Sequence, residues 1–254
     1  MGKIIAIAAP KGKVGKSTTA INLSTAFALN GKKTLLIDLD PAGACATGLG
    51  ISKKDVADNI FNKMDFNVSL KPFIKNTWIQ NLSFLGIRRL PYLDGQRFGE
   101  IVTNEQILKN VLLPEAPSYD CIIMDCPPLY KGTINAALIT ADSVLIPVTL
   151  ADYSSAVVGR MFAQLNSIKE EYNPDLKIAG ILFTMYESDN DVNQEIQKEL
   201  LENYPQQILN IYIPKSSVVI QAFKSQKPLV ISYPDDEAAK AYFKLAEELS
   251  NGLY

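Results

Sequence analysis

The chain contains no histidine, and that absence removes imidazole general-base chemistry and every histidine-ligated metal site. Its three cysteines, Cys45, Cys121 and Cys126, lack the paired spacing of a zinc site. In a sequence without a secretion signal they read as reduced thiols lining a core or a site, not as a disulfide framework. No apolar run is long enough to cross a bilayer. The opening stretch Ile4 to Ala9 leads into Lys11, Gly12 and Lys13 instead of a small-residue cleavage site, so a cytoplasmic protein is expected. A charge excess is missing too: 25 Lys and Arg stand against 27 Asp and Glu, a formal net charge of -2. Any nucleic-acid contact must therefore use a local patch. Repeats, low-complexity tracts and linkers are equally lacking, and residues 1–254 read as a single domain.

What the chain does have is an alternation of short β-branched runs with longer segments of helical period, the pattern of βαβ units. Strands are expected at Lys3 to Ala8, Thr34 to Asp38, Leu82 to Ile87, Cys121 to Asp125, Ser143 to Pro147 and Lys177 to Phe183. Helices are expected at Lys16 to Asn30, Asn104 to Leu112, Ile134 to Ala141, Ser154 to Tyr172, Asp191 to Tyr204 and Asp235 to Asn251. Several strands are apolar on both faces, as parallel strands covered by helices must be. The expected fold is α/β: a doubly wound, mostly parallel sheet with helices on both faces. Ile51 to Asn81, a mixture of Lys, Asp, Asn and isolated aromatics, is the least readable stretch.

Between the first strand and the first helix lies Pro10-Lys11-Gly12-Lys13-Val14-Gly15-Lys16-Ser17-Thr18. Backbone N–H groups at a helix N-terminus have no intrahelical partner and sit at the positive end of the helix dipole, so they bind phosphate. Glycines let the backbone approach closely. Lys16 is placed to reach the β- and γ-phosphates and the Ser17 hydroxyl to hold Mg²⁺. A strict Walker pattern needs glycine five residues before Gly15, where this chain has Pro10. Two further strands end in carboxylates: Asp38 and Asp40 before Pro41, and Asp125 before Cys126-Pro127-Pro128. Ligands of open parallel sheets sit beyond the carboxyl ends of the strands. An isolated strand-end Asp is usually a turn former or cap, but paired carboxylates after a phosphate loop favour a metal and nucleotide site. Asp120, at the opposite end of its strand, reads as structural, and Cys126 as a small buried thiol.

The loop resembles the deviant form of the ParA/MinD family, whose signature lysine precedes the first loop glycine; that lysine is Lys11. Asp38-Leu39-Asp40-Pro41 resembles the family's second motif and Tyr119 to Pro128 its Walker B segment. The likeness to the ParA/Soj type continues through Thr133 to Val148, Gly180 to Tyr186, Ile213 to Ser216, Lys227-Pro228 and the last helix. It implies a P-loop ATPase using ATP and Mg²⁺, with Lys11, Gly12, Lys13, Val14, Gly15, Lys16, Ser17 and Thr18 around the phosphates. Ser17, Asp38 and Asp125 would lie at or near the metal, and Asp40 would orient the attacking water. Two subunits would sandwich two ATP molecules, Lys11 crossing into the partner's site as an arginine finger does. Met185, Pro214 and Lys215, with Thr184, lie where such proteins hold adenine, although Met185 reads equally well as packing.

The family usually has glycine at the position of Lys13. Either the backbone there keeps φ negative or the loop is strained; the side chain is expected to face solvent. The resemblance also implies an ATP-bound homodimer on nonspecific DNA, released by a ParB-like or other activating adaptor. Glu187, Asp189 and Asp191 are acidic where relatives often carry arginine, leaving Lys215, Lys224 and Lys227 as a possible patch. No DNA-reading domain is expected ahead of the loop. Two alternatives stay open. One is a MinD-like ATPase cycling on membranes, which Glu247 and Glu248 in the last helix oppose. The other is a nucleotide-dependent interaction switch with weak hydrolysis, motivated by Lys13.

Overall fold

The computed structural model describes residues 2–40, 42–52, 56, 69–86, 106–128, 131–150, 155–188 and 191–252. Positions 87, 104, 105 and 154 of the expected elements, and Asp189 of the acidic run, lie outside the described residues. Among those residues the strands are β1 (Lys3–Ile7), β2 (Thr34–Asp38), β3 (Lys75–Asn76), β4 (Leu82–Gly86), β5 (Cys121–Asp125), β6 (Ser143–Val148), β7 (Lys177–Tyr186) and β8 (Ile208–Pro214). The helices are α1 (Lys16–Leu29), α2 (Ala44–Gly48), α3 (Ile107–Leu112), α4 (Lys131–Thr140), α5 (Ser155–Glu171), α6 (Asp191–Asn203), α7 (Val218–Lys224), α8 (Leu229–Ser232) and α9 (Glu237–Gly252).

The sheet is eight-stranded in the order β3-β4-β2-β5-β1-β6-β7-β8. Only the short edge strand β3 pairs antiparallel; the other pairings are parallel. Side chains alternate across a strand, and β1 shows both faces buried. Ile4 and Ala6 join a core with Leu108, Leu138, Val158, Met161 and Leu200, from α3 to α6. Ile5 and Ile7 join a second core with Leu23, Phe27, Ala222, Tyr242 and Leu245, from α1, α7 and α9. The expected doubly wound sheet is therefore the observed one.

The last helix, α9, buries Ala238, Ala239, Ala241, Tyr242, Leu245, Ala246 and Leu249. It packs on α1 and β8, and the Tyr242 hydroxyl shares a 3.3 Å hydrogen bond with Thr19. Its apolar face is spent on the core. No helix among the described residues is long and apolar enough to cross a membrane.

From β1 the chain passes through α1 to β2, on one side of β1, while β5 passes through α4 to β6, on the other. This reversal opens a crevice at the carboxyl ends of β1, β2 and β5, where an open α/β sheet places its ligand.

Candidate functional site

The loop between β1 and α1 enters this crevice. Gly15 caps α1 with φ 80°, a left-handed conformation that glycine adopts without steric cost. Lys13 takes φ 62° and its side chain is exposed, so the second of the two possibilities at this position holds: the loop carries strain. A left-handed residue with a Cβ costs about 1–2 kcal/mol, part of which glycine returns through its greater unfolded-state freedom. Lys13→Gly is therefore expected to raise the thermal midpoint by about 2–4 °C per kcal/mol recovered. A midpoint equal to or below wild type in a melting experiment contradicts this.

Lys16 opens α1, only 6% exposed, and its ammonium donates to the carbonyl oxygen of Lys11 at 2.7 Å. Burial pulls its pKa below the ordinary lysine value, while the negative charge of Asp125 and Asp40 holds it up. Thr184, at the carboxyl end of β7, braces the loop from below. Its buried hydroxyl lies 3.0 Å from the Val14 carbonyl oxygen and 3.3 Å from that of Val148. Thr184→Val keeps the shape and removes the donor, an expected loss of about 1–3 kcal/mol. The loss should appear in the denaturant midpoint together with weaker nucleotide binding. An unchanged midpoint would show that the hydroxyl does not hold the loop.

β2 and β5 pair in a register that sets Asp38 opposite Asp125. Asp38 accepts the Asp40 N–H on Oδ1 and the Cys45 N–H on Oδ2, both at 3.0 Å. These two bonds tie down the turn leading into α2. Asp40 Oδ1 accepts the Ala42 N–H at 2.9 Å. Asp125 Oδ2 accepts the Cys45 thiol at 3.3 Å, whereas its Oδ1 is buried without a hydrogen-bond partner. Burial raises the Asp38 and Asp125 carboxyls above the usual range, and at Asp38 the charge of Asp125 adds to it. The Ser17 and Cys45 side chains pull Asp125 back.

An orphaned buried carboxylate oxygen is costly, and a hard divalent cation taking oxygen ligands relieves it. Asp125 with the Ser17 hydroxyl fits Mg²⁺. The raised carboxyls also fix a sign. At these two carboxyls the folded chain binds protons that the unfolded chain releases, so their contribution to the stability of the nucleotide-free protein falls as pH rises from about 4 towards neutrality. Asp125→Asn should flatten that slope in melts across pH 4 to 7; an unaltered slope contradicts the assignment.

Met185, Pro214 and Lys215 come together at the ends of β7 and β8. Tyr186 pairs with Pro214, and the Lys215 N–H donates to the Tyr186 carbonyl at 3.1 Å. Met185 is 44% exposed with φ 51°, and the Lys215 ammonium pairs with Glu187 at 3.0 Å. A cavity of about 330 Å³, which no local sequence pattern announces, adjoins Ser17 and Thr18 and is walled by Ile21, Gly48, Phe223 and Leu229. Two of its walls, α2 and α7, are too short to show a period. The resemblance places Thr184 on the base side only. Its work as a strut comes from a contact across 170 positions, for which the sequence holds no local signal.

The family described as an AAA domain matches residues 2–178. The sporulation initiation inhibitor protein Soj of Bacillus subtilis is 34% identical over 253 residues, covering 98% of this chain and 99% of Soj. This chain belongs to the ParA/Soj family of ATPases. The chromosome partitioning protein ParA of Myxococcus xanthus is 32% identical over 253 residues, covering 98% of this chain and 88% of that one. Among solved structures, cobyrinic acid a,c-diamide synthase from Mycobacterium smegmatis with bound ATP analogue and magnesium superposes with a TM-score of 0.85. The match covers 100% of this chain and 96% of that one at 23% identity, a likeness of fold. The ParA/Soj assignment rests on nearly the whole chain, including the segments around Lys11, Asp40 and Asp125.

Proposed function

We propose that this ParA/Soj-family chain is a Mg²⁺-dependent ATP hydrolase that pairs into a homodimer when ATP is bound. In that state it holds DNA without reading its sequence and is released when an adaptor protein stimulates hydrolysis, so that DNA or another cargo is partitioned or positioned. The observation that carries the catalytic part is the buried, unpartnered Asp125 Oδ1 at the foot of a phosphate loop whose lysine is itself buried.

Each residue then has a task. The amides of Gly12 to Thr18 surround the phosphates. Lys16 exchanges its bond to the Lys11 carbonyl for the β- and γ-phosphate oxygens. Ser17 and Asp125 would hold Mg²⁺, which would supply positive charge against the phosphates, and Asp38 keeps the adjoining turn in place. Asp40 orients the attacking water. Lys11 reaches the partner's nucleotide, and Met185, Pro214 and Lys215 flank the base. Support comes from relatives that bear the name chromosome-partitioning ATPase Soj and from the ATP analogue and magnesium in the structure of like fold.

DNA binding would use the exposed Lys224 and Lys227; Lys215 is less available, being paired with Glu187. Backbone contacts of this kind release about 0.9 counterions per phosphate. Retention of the ATP form on DNA should therefore fall steeply with salt, and Lys224→Glu with Lys227→Glu should weaken it on every sequence alike. Retention that is insensitive to salt, or unaffected by the double substitution, contradicts the DNA part. ATP-dependent capture on anionic liposomes, against the buried apolar face of α9, would move the protein to the membrane-cycling type.

A further inference from the structure

The magnesium reading uses Asp125 and Ser17 and leaves the thiol beside them without a task. Asp38, Cys45 and Asp125 are all buried, and one ligand atom of each lies within 4.8 Å of the others. The thiol is held in place. Gly43, with φ 67°, turns the chain into α2, the Cys45 N–H is fixed on Asp38, and α2 lies so close to α1 that a Cβ on Gly48 would meet Ile21 Cδ1 at 2.5 Å. Independently of the thiol, Asp125 Oδ1 is buried in this cluster with no partner.

One sulfur and two carboxylates form a mixed donor set. Mg²⁺ takes oxygen ligands only, whereas Zn²⁺ and softer divalent ions take thiolate as well and gain from it. We infer that Asp38, Cys45 and Asp125 form a site for a thiophilic divalent cation, Zn²⁺ or its analogue Cd²⁺, whose occupancy excludes Mg²⁺ from Asp125. On binding, the Cys45 S–H bond breaks, its proton passes to solvent and a metal–sulfur bond forms without any change of oxidation state. Cys121 begins β5, and Cys126 directs its thiol to the Met124 carbonyl at 3.9 Å; neither belongs to the cluster. Binding does not depend on the ATPase reading, but the exclusion of Mg²⁺ rests on it.

The test titrates the nucleotide-free, phosphine-reduced chain with CdCl₂ in magnesium buffer. It follows the ultraviolet thiolate-to-cadmium band and measures bound cadmium by equilibrium dialysis. The expected result is one Cd²⁺ per chain with the band, displaced by Zn²⁺. Cys45→Ala should lose the band and bind at least about 100-fold more weakly, while Cys121→Ala and Cys126→Ala keep both. Cys45→Ser, which retains a hydrogen-bond donor to Asp125, should also lose the band with an unchanged circular dichroism spectrum. Absence of the band in the wild type, or its persistence in both Cys45 variants, overturns the site. A second arm measures ATP turnover with Mg²⁺ and added Zn²⁺, each chain against its own zinc-free rate. Inhibition in the wild type that is lost in Cys45→Ser supports the exclusion, and equal inhibition of both overturns it. Cadmium binding through Cys45 in a chain with no zinc-free turnover leaves the cation site standing and removes the ATPase reading instead.

Discussion

Lys16→Ala is expected to weaken ATP binding by about 2–5 kcal/mol, roughly thirty-fold to several thousand-fold in Kd. Lys16 is only 6% exposed, and in the nucleotide-free chain its ammonium donates to the Lys11 carbonyl, a weaker partner than a phosphate. Removing it takes the positive charge from the centre of the loop, which the free amides at the start of α1 replace only in part. The folded chain should survive the change, because burial already works against the charged form of this lysine. Isothermal titration of ATP beside a thermal melt separates the two effects. Lost binding with a retained midpoint is the expected pair, and retained binding with a lowered midpoint would make Lys16 a structural lysine.

Lys11→Ala should behave in the opposite way. Lys11 contributes its carbonyl to Lys16 within its own chain, a contact that alanine preserves, so ATP binding should persist. What should disappear is the charge delivered to the partner's nucleotide. Residues that act as fingers are worth roughly 10³–10⁵ in rate, so hydrolysis should fall by a factor of that order, together with the ATP-dependent increase in mass. Light scattering and single-turnover hydrolysis read the two losses. A Lys11→Ala chain that dimerises and turns over like the wild type would remove the signature lysine from the mechanism, leaving an ordinary phosphate loop.

The features legible in the sequence share one property: they are local. The loop from Lys11 to Thr18 is contiguous, and Asp38 and Asp125 end strands whose apolar runs are plain. The sheet and its crevice follow from those strands and the helices between them. What was not legible depends on contacts between distant segments or on elements too short to carry a period. β8 runs along the sheet's edge with Asn210 and Tyr212 exposed and closes at Pro214, so it lacks the all-apolar character of a central strand. The helices α2 and α7 span barely one or two turns. For Cys45 the sequence leaves core and site equally open, and only the packing of α2 brings its thiol to Asp125. Lys13 lay between these cases, since its identity announced a departure from glycine but only the fold fixed its φ.

Under the proposed function, ATP is hydrolysed when Asp40 places water against a phosphate held by Lys16 and Mg²⁺. The most direct test is Mg²⁺-dependent ATP turnover of the wild type beside Asp40→Ala, with ATP binding measured on both. The account predicts that both chains bind ATP, that the wild type turns it over, and that chelation of Mg²⁺ or the Asp40 substitution stops turnover. A wild-type rate indistinguishable from that of Asp40→Ala would contradict it.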